Sequence, residues 1–420
     1  MKKFLYTFVI VAAIAILGFG WYFLFYRPAQ PAPATTPGTL PGASGQSGQS
    51  AQTPTTPGQA ASTTQAKFGV VAQNPVMDFY VDSGNNAILV QPDSQIVEIS
   101  NGNASVLNSS AMPDLLSASF SFDGKKILAS FGNPLTPQDS IFEVASKTWQ
   151  PTAQSLRSAV WSPDSYQITY LADKNGVQAL TTFDEANAGT KPTILATLHI
   201  NDVILNWIGP NKIIISDKGS TLAAGSVWSF DVQNKTFSPV IIDETGLQSI
   251  WNYLANTGLV LETTNMFGGK LSLLNTSGQT LNALTFLTLP SKCVFDIQTQ
   301  NPPQATSAPT TSSSTKSTSK KGSATPPPVV TPVISQEYLY CAVPRDTQRL
   351  NTSALPDDYL KGALFTSDDF WRIDLATGDT SAVFIDPNQN LDATDLKIFN
   401  KTLFFVNRFD KKLYAISLGQ

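Results

Sequence analysis

Few residues in this chain can do chemistry. Among 420 residues there are two cysteines, Cys293 and Cys341, and one histidine, His199. Zinc takes three or four ligands from Cys, His and carboxylates. The segment TLHIND around His199 offers no second histidine and no Asp/Glu cluster at ligand spacing, so His199 reads as a strand or surface residue. No Asp-x-Asp-x-Asp-Gly calcium loop occurs, and DKNG at 173–176 reads as a hairpin turn. The Gly-x-Ser-x-Gly elbow of a serine hydrolase is missing, as is a Ser-x-Asp-x-Gly box. Asp374, Thr377 and Gly378 approach a Thr-Gly turn of the quinoprotein kind once, without repetition. Acidic residues are scattered, and nothing singles out the pair that a glycosidase would need. No catalytic, cofactor-binding or metal-binding residue is assigned from the sequence.

The elements that would position any site are strands. Charged residues are 14% of the chain, with Lys+Arg 27 against Asp+Glu 31 and a net charge of -4. No polybasic stripe exists, which argues against a nucleic-acid partner. Aromatic and β-branched residues are plentiful, and helical periodicity is scarce beyond residue 26, which favours an all-β chain.

The N-terminal run FLYTFVIVAAIAILGFGWYFLFY, residues 4–26, carries no charge and follows Lys2 and Lys3. As a helix it would span about 34 Å, enough to cross a bilayer. It is longer than a secretory signal core and ends in aromatics suited to a membrane interface, so residues 1–27 read as a cytoplasmic stub and an uncleaved anchor. Ala32, Pro33 and Ala34 leave cleavage as the alternative. Lys2 and Lys3 before the run, against only Arg27 after it, put the N-terminus in the cytoplasm and the remainder outside a single-pass cell-membrane anchor. Residues 28–66 are Pro, Thr, Ser, Gly, Gln and Ala with one Leu, the composition of a disordered tether. It would average about 35 Å as a coil and roughly 120 Å as polyproline. A second low-complexity block, 299–333, reads as a disordered insertion within the folded part, residues 67–420.

Inside that part VWSPDSYQITY, residues 160–170, recurs in looser copies. Aligned on an aromatic, the copies place Phe79, Phe120, Trp161, Trp207 and Trp251 together, at intervals of about 41 to 46 residues expected of four-stranded propeller blades. In each copy an inner strand, a tight turn rich in Asp, Gly, Pro and Asn and a returning strand form one hairpin, and a second hairpin such as SIFEVASKTWQ or DFWRIDLATGDTSAVF completes the blade. Two weaker copies begin at KCVFDI and DLKIFNKTLFFVN. The expected fold is a seven-bladed β-propeller, with six or eight blades as the alternatives. The last copy lacks a fourth strand, so KFGVVAQ at 67–73 is expected to supply it and close the ring. The recurring aromatics read as packing between blades rather than as a ligand-stacking set.

Cys293 and Cys341 fall on the first and second strands of the sixth copy, on either side of the insertion. Facing positions on antiparallel strands suit a disulfide, and an extracytoplasmic compartment permits one; two buried thiols are the alternative. Where each inner strand is entered, loops should converge on one mouth of the channel. Asp114, Arg157, Asp202, Gln248, Lys292 and Asp395 fall there and form a candidate binding rim, against the plainer reading of a solvated loop ring. The connection from Arg345 to Asp369 should open on the same mouth, and the insertion on the other face.

WSPDS at 161–165 and FSFDG at 120–124 resemble the inner hairpins of WD40-like repeats of the TolB type, and IDLATG at 373–378 is similar to their outer hairpin. The segment ALPDDYLKGALFTSDDFWRIDL resembles a feature of membrane-anchored bacterial propellers. The chain departs from true WD40 repeats, having no Trp-Asp ending and no Gly-His pair, so the partners of that family do not carry over. The likeness names no function; the expected role is a binding or scaffolding module at the cell surface, with a protein or glycan partner at the loop face and no cofactor. The alternatives are a surface enzyme acting on glycan or peptide through carboxylates at the mouth, and an envelope sensor or assembly subunit.

Overall fold

A computed structural model of the protein describes residues 68–419 except 109–111, 175, 188–190, 201, 254, 265 and 299–335. The anchor at 4–26, the tether and the insertion lie outside the described residues. Among those described, no helix is long and apolar enough to cross a membrane.

The described strands form seven four-stranded antiparallel sheets, each a blade. Their inner strands are Asp78–Val81, Leu115–Phe120, Arg157–Trp161, Val203–Gly209, Gln248–Trp251, Cys293–Gln298 and Ala393–Phe399, for blades 1 to 7 in turn. Six blades are simple meanders. In blade 7 the outermost strand is Phe68–Ala72, paired antiparallel with Leu413–Ser417 from the other end of the described chain. Strand exchange therefore closes the ring, and Phe68 stacks on Phe384 of blade 6 and Tyr414 of blade 7, with centroids 4.7 and 5.5 Å away. Pairing in this way removes two exposed edges.

Alternating apolar residues point to the two faces of each sheet, so every blade can bury against both neighbours. The buried apolar side chains accordingly fall into seven clusters, one at each junction between blades. Trp161, Trp207 and Trp251 are buried in three of them, and Trp161 Nε1 donates to Ser119 O of the preceding blade at 3.1 Å. Blade 1 differs from the sequence alignment. The residue that closes its inner hairpin, corresponding to Phe120 and Trp161, is Val81, because Asp82 N bonds Asn86 O as Ser121 N bonds Lys126 O. Phe79 lies two residues earlier on the same face, so it still packs in the junction with blade 7.

The Ser-x-Asp turns do more than reverse the chain. Ser121 Oγ donates to Asp123 and Ser162 Oγ to Asp164. The second oxygens of these carboxylates accept from Tyr166 OH of blade 3 at 2.7 Å and Tyr253 OH of blade 5 at 2.6 Å. Gly124 in the first turn has φ +72° and lies under the Tyr80 ring, where a Cβ would come within 2.2 Å of it.

Candidate binding face

An antiparallel meander fixes which loops share a face. Connections between second and third strands, and from each blade to the next, open on one face, called here the entrance face. The remaining turns open on the exit face. In blade 6 the register pairs Gln298 with Gln336 at one end and Pro344 with Asp368 at the other. The strand ends at Gln298 and Gln336 therefore lie at the exit face, and the 345–367 connection opens on the entrance face, as expected from the sequence.

That connection is a strap with two short helices, Thr347–Asn351 and Asp357–Leu360. Leu350, Leu355, Tyr359 and Leu364 are buried in the junction of blades 5 and 6. Asp357 accepts hydrogen bonds from Thr221 N at 2.7 Å, Thr221 Oγ1 at 3.1 Å and Ser220 Oγ at 3.2 Å in blade 4. Gly268 N of blade 5 donates to Ser353 O, and Arg408 of blade 7 donates to Tyr359 O and Leu364 O. The strap thus spans blades 4 to 7. Close approach requires Gly246, where φ is +62° and a Cβ would fall 2.7 Å from Leu355 O.

Beneath the strap lies an ionic cluster that overturns one sequence expectation. Lys292, expected on the solvated rim, is 0% exposed. Its three N–H groups go to Asp368 Oδ2 and Asp392 Oδ1, both at 2.6 Å, and Thr366 Oγ1 at 2.8 Å. Arg408 holds the other oxygen of Asp392 at 2.9 Å and stacks over the Tyr359 ring at 3.7 Å. Burial alone would lower the Lys292 pKa, but Asp368, Tyr359 and Asp392 outweigh it and keep the ammonium above the usual lysine range. Burial raises Asp368 above the usual carboxylate value, against the pull of Lys292. Strand position alone put Lys292 at the entrance; the strap, brought in from 60 residues further along, encloses it.

The other candidate rim residues also sit at inner-strand entrances. Asp114 and Asp202 are exposed just before their strands, Arg157 and Gln248 begin theirs, and Asp395 is the third residue of its own. They do not form one site. Asp395 joins a separate channel group with Lys397 and Asp78, its carboxylate 3.6 Å from Lys397 Nζ, while Lys397 also bonds Asp78 and lies over the Phe79 ring. Burial lifts the Asp78 carboxyl to about 6, partly opposed by Lys397. Among the described residues, Arg157 and Asp202 line a common cleft of about 770 Å³ on blades 2 to 4. Lys218, which position in the repeat does not reveal, joins them and pairs with Asp202 at 2.7 Å.

Exposed apolar side chains divide unevenly. Of sixteen large ones among the described residues, nine lie at the entrance face, including Leu135, Leu222, Phe267, Leu360 and Phe409, and only Phe122 lies at the exit face. The others are on outermost strands. Hairpin turns are usually polar, so this bias marks the entrance face as the apolar one. Cys293 and Cys341 face each other across the first two strands of blade 6 and are joined, S–S 2.08 Å. Among the described residues no cluster of three or more His, Cys, Asp or Glu is placed to hold a metal.

The class defined by these features is a seven-bladed β-propeller with a strapped entrance face. No protein-family model matches the chain, and no curated protein does. Among solved structures it is similar to TolB from Acinetobacter baumannii, with 16% identity over 49% of this chain and 53% of that one and a TM-score of 0.37. It is also similar to the tricorn protease, 12% identical over 84% of this chain and 34% of that one, TM-score 0.47. A third is the β-propeller domain of the Trilobed protease from Pyrococcus furiosus, 10% identical over 82% of this chain and 96% of that one, TM-score 0.48. The chain spans about half the length of that TolB and a third of the tricorn protease.

Proposed function

We propose that this protein is a binding or scaffolding module that receives a protein or glycan partner on its entrance face, held at the cell membrane through residues 4–26. The observation that carries the reading is the concentration of exposed apolar side chains on that face, next to an open cleft. The bias toward one face, nine such side chains against one at the exit face, is what favours a partner there. Extracytoplasmic placement is supported by the charge bias around the anchor and by the Cys293–Cys341 bridge, which needs an oxidising compartment. The outermost strand of blade 7 begins at the exit face with Phe68. Tethering would raise the local concentration of the module for partners at the same membrane.

The test is photo-crosslinking of the full chain in its native membrane, with the crosslinker at Leu222, Leu360 or Phe409, or at Phe122. Adducts of one defined mass from the first three and none from Phe122 are expected. Equal yields from Phe122 would refute the assignment of the face.

A further inference from the structure

The cleft on blades 2 to 4 has a chemistry of its own. Its floor is built from small residues, Ser117, Ala118, Ser119 and Ala159, and none of its lining residues is aromatic. Sugar rings are usually held by stacking their C–H faces on aromatic rings, so this floor suits an extended polypeptide better than a glycan. A volume of about 770 Å³ fits within the range of sites that enclose ligands.

The wall is cationic where the chain as a whole is acidic. Arg157, Lys218 and Asp202 line it, one positive charge in excess, against a net charge of -4 for the sequence. Lys218 and Asp202 are 58% and 60% exposed, and a surface pair of this kind is easily exchanged for a new partner. Arg157 forms no ion pair among the described residues, and its guanidinium makes a long hydrogen bond, 3.4 Å, to Leu135 O. A fork of unpaired N–H donors matches a carboxylate two bonds at a time. The backbone aims it: Ser158 has φ +52° and the ladder slips between Arg157 and Val160, a bulge that turns the strand entrance. Leu116 and Leu135, 37% and 78% exposed, supply apolar contacts on either side.

We infer that the cleft binds an extended acidic segment of a partner protein, with an Asp or Glu carboxylate on Arg157 and Lys218 and apolar side chains against Leu116 and Leu135. The inference rests on the entrance face being the binding face. The test uses the full chain in detergent to select from displayed random dodecapeptides, with retained peptides remeasured individually. Retained sequences are expected to pair Asp or Glu with Leu, Ile or Val, and to bind at least tenfold more weakly to Arg157→Glu and several-fold more weakly to Arg157→Gln. Peptides with Lys in place of the acidic residue are expected to regain affinity for Arg157→Glu, a swap that misfolding could not produce. Binding should also weaken as salt rises.

Retention of no peptide, or of peptides without acidic residues, would overturn the inference, as would affinity unchanged by both Arg157 variants. If such peptides lose affinity instead for Leu222→Asp or Leu360→Asp, the entrance face stands and the cleft fails. If only Phe122→Asp matters, both fail.

Discussion

Replacing Lys292 with methionine asks whether the strap stands on an ionic unit. The ammonium is fully buried and bonds Asp368, Asp392 and Thr366 within 2.8 Å. Methionine fills similar space, so the main loss is charge: Asp392 keeps Arg408, whereas Asp368 loses the one cation it pairs with among the described residues. Removing one partner of a buried pair costs about 3–5 kcal/mol, a large part of the roughly 5–15 kcal/mol that stabilises an ordinary domain. Asp368→Asn on this background removes the stranded charge, and the double variant should be less destabilised than the sum of the two by about 1–3 kcal/mol. The pH dependence has a definite sign. Asp368 already titrates above its usual value, and loss of Lys292 drives it higher. A carboxyl whose folded pKa exceeds its unfolded one binds more protons when folded, so stability falls as pH rises through that window. The deficit of Lys292→Met should therefore be greatest at neutral and alkaline pH and shrink in acid. Urea unfolding of the full chain in detergent, followed by tryptophan fluorescence at pH 8 and pH 5, measures it. A deficit under about 1 kcal/mol, additivity of the two substitutions, or no pH dependence would refute the reasoning and return Lys292 to the solvated rim.

Asp357→Ala removes three hydrogen bonds to Ser220 and Thr221 and should free the strap by about 1–2 kcal/mol; amide exchange should quicken at residues 347–364 and stay unchanged in the blades. Burial raises the Asp357 pKa, but hydrogen bonds from Thr221 and Lys361 outweigh it and leave it below 3.8, so this anchor persists above that value and is lost as pH falls through the lower folded one. The double substitution Cys293→Ala with Cys341→Ala frees a loop whose ends are 48 residues apart, worth up to about 4 kcal/mol on a chain-entropy account; a melting temperature equal to that of the oxidised wild type would contradict this, as would recovery of both free thiols from wild type by non-reducing mass spectrometry. Phe68→Ala removes the ring that joins the closing strand to Phe384 and Tyr414, at a cost of about 1–3 kcal/mol; light scattering should show self-association as the edge of Leu413–Ser417 opens.

Local chemistry was legible wherever it repeats. The turn residues, the alternation of apolar side chains and the interval between aromatics require only neighbouring residues, so the blades, the strand order and the missing fourth strand of the last blade follow from the sequence. The same logic put Asp114, Arg157, Asp202, Gln248, Lys292 and Asp395 at strand entrances, where all six lie. Which of them share a site was not legible, because that depends on what another blade brings across the mouth. The strap decides that Lys292 is buried against Asp368 and Asp392 while Arg157 stays open. Lys218 enters the cleft from a loop with no repeat signature, and the apolar entrance face is assembled from one or two residues in each of five blades. Periodicity along the chain determined the ring; desolvation and charge pairing between residues far apart in sequence, which only the closed tertiary structure brings together, decided where a partner could bind.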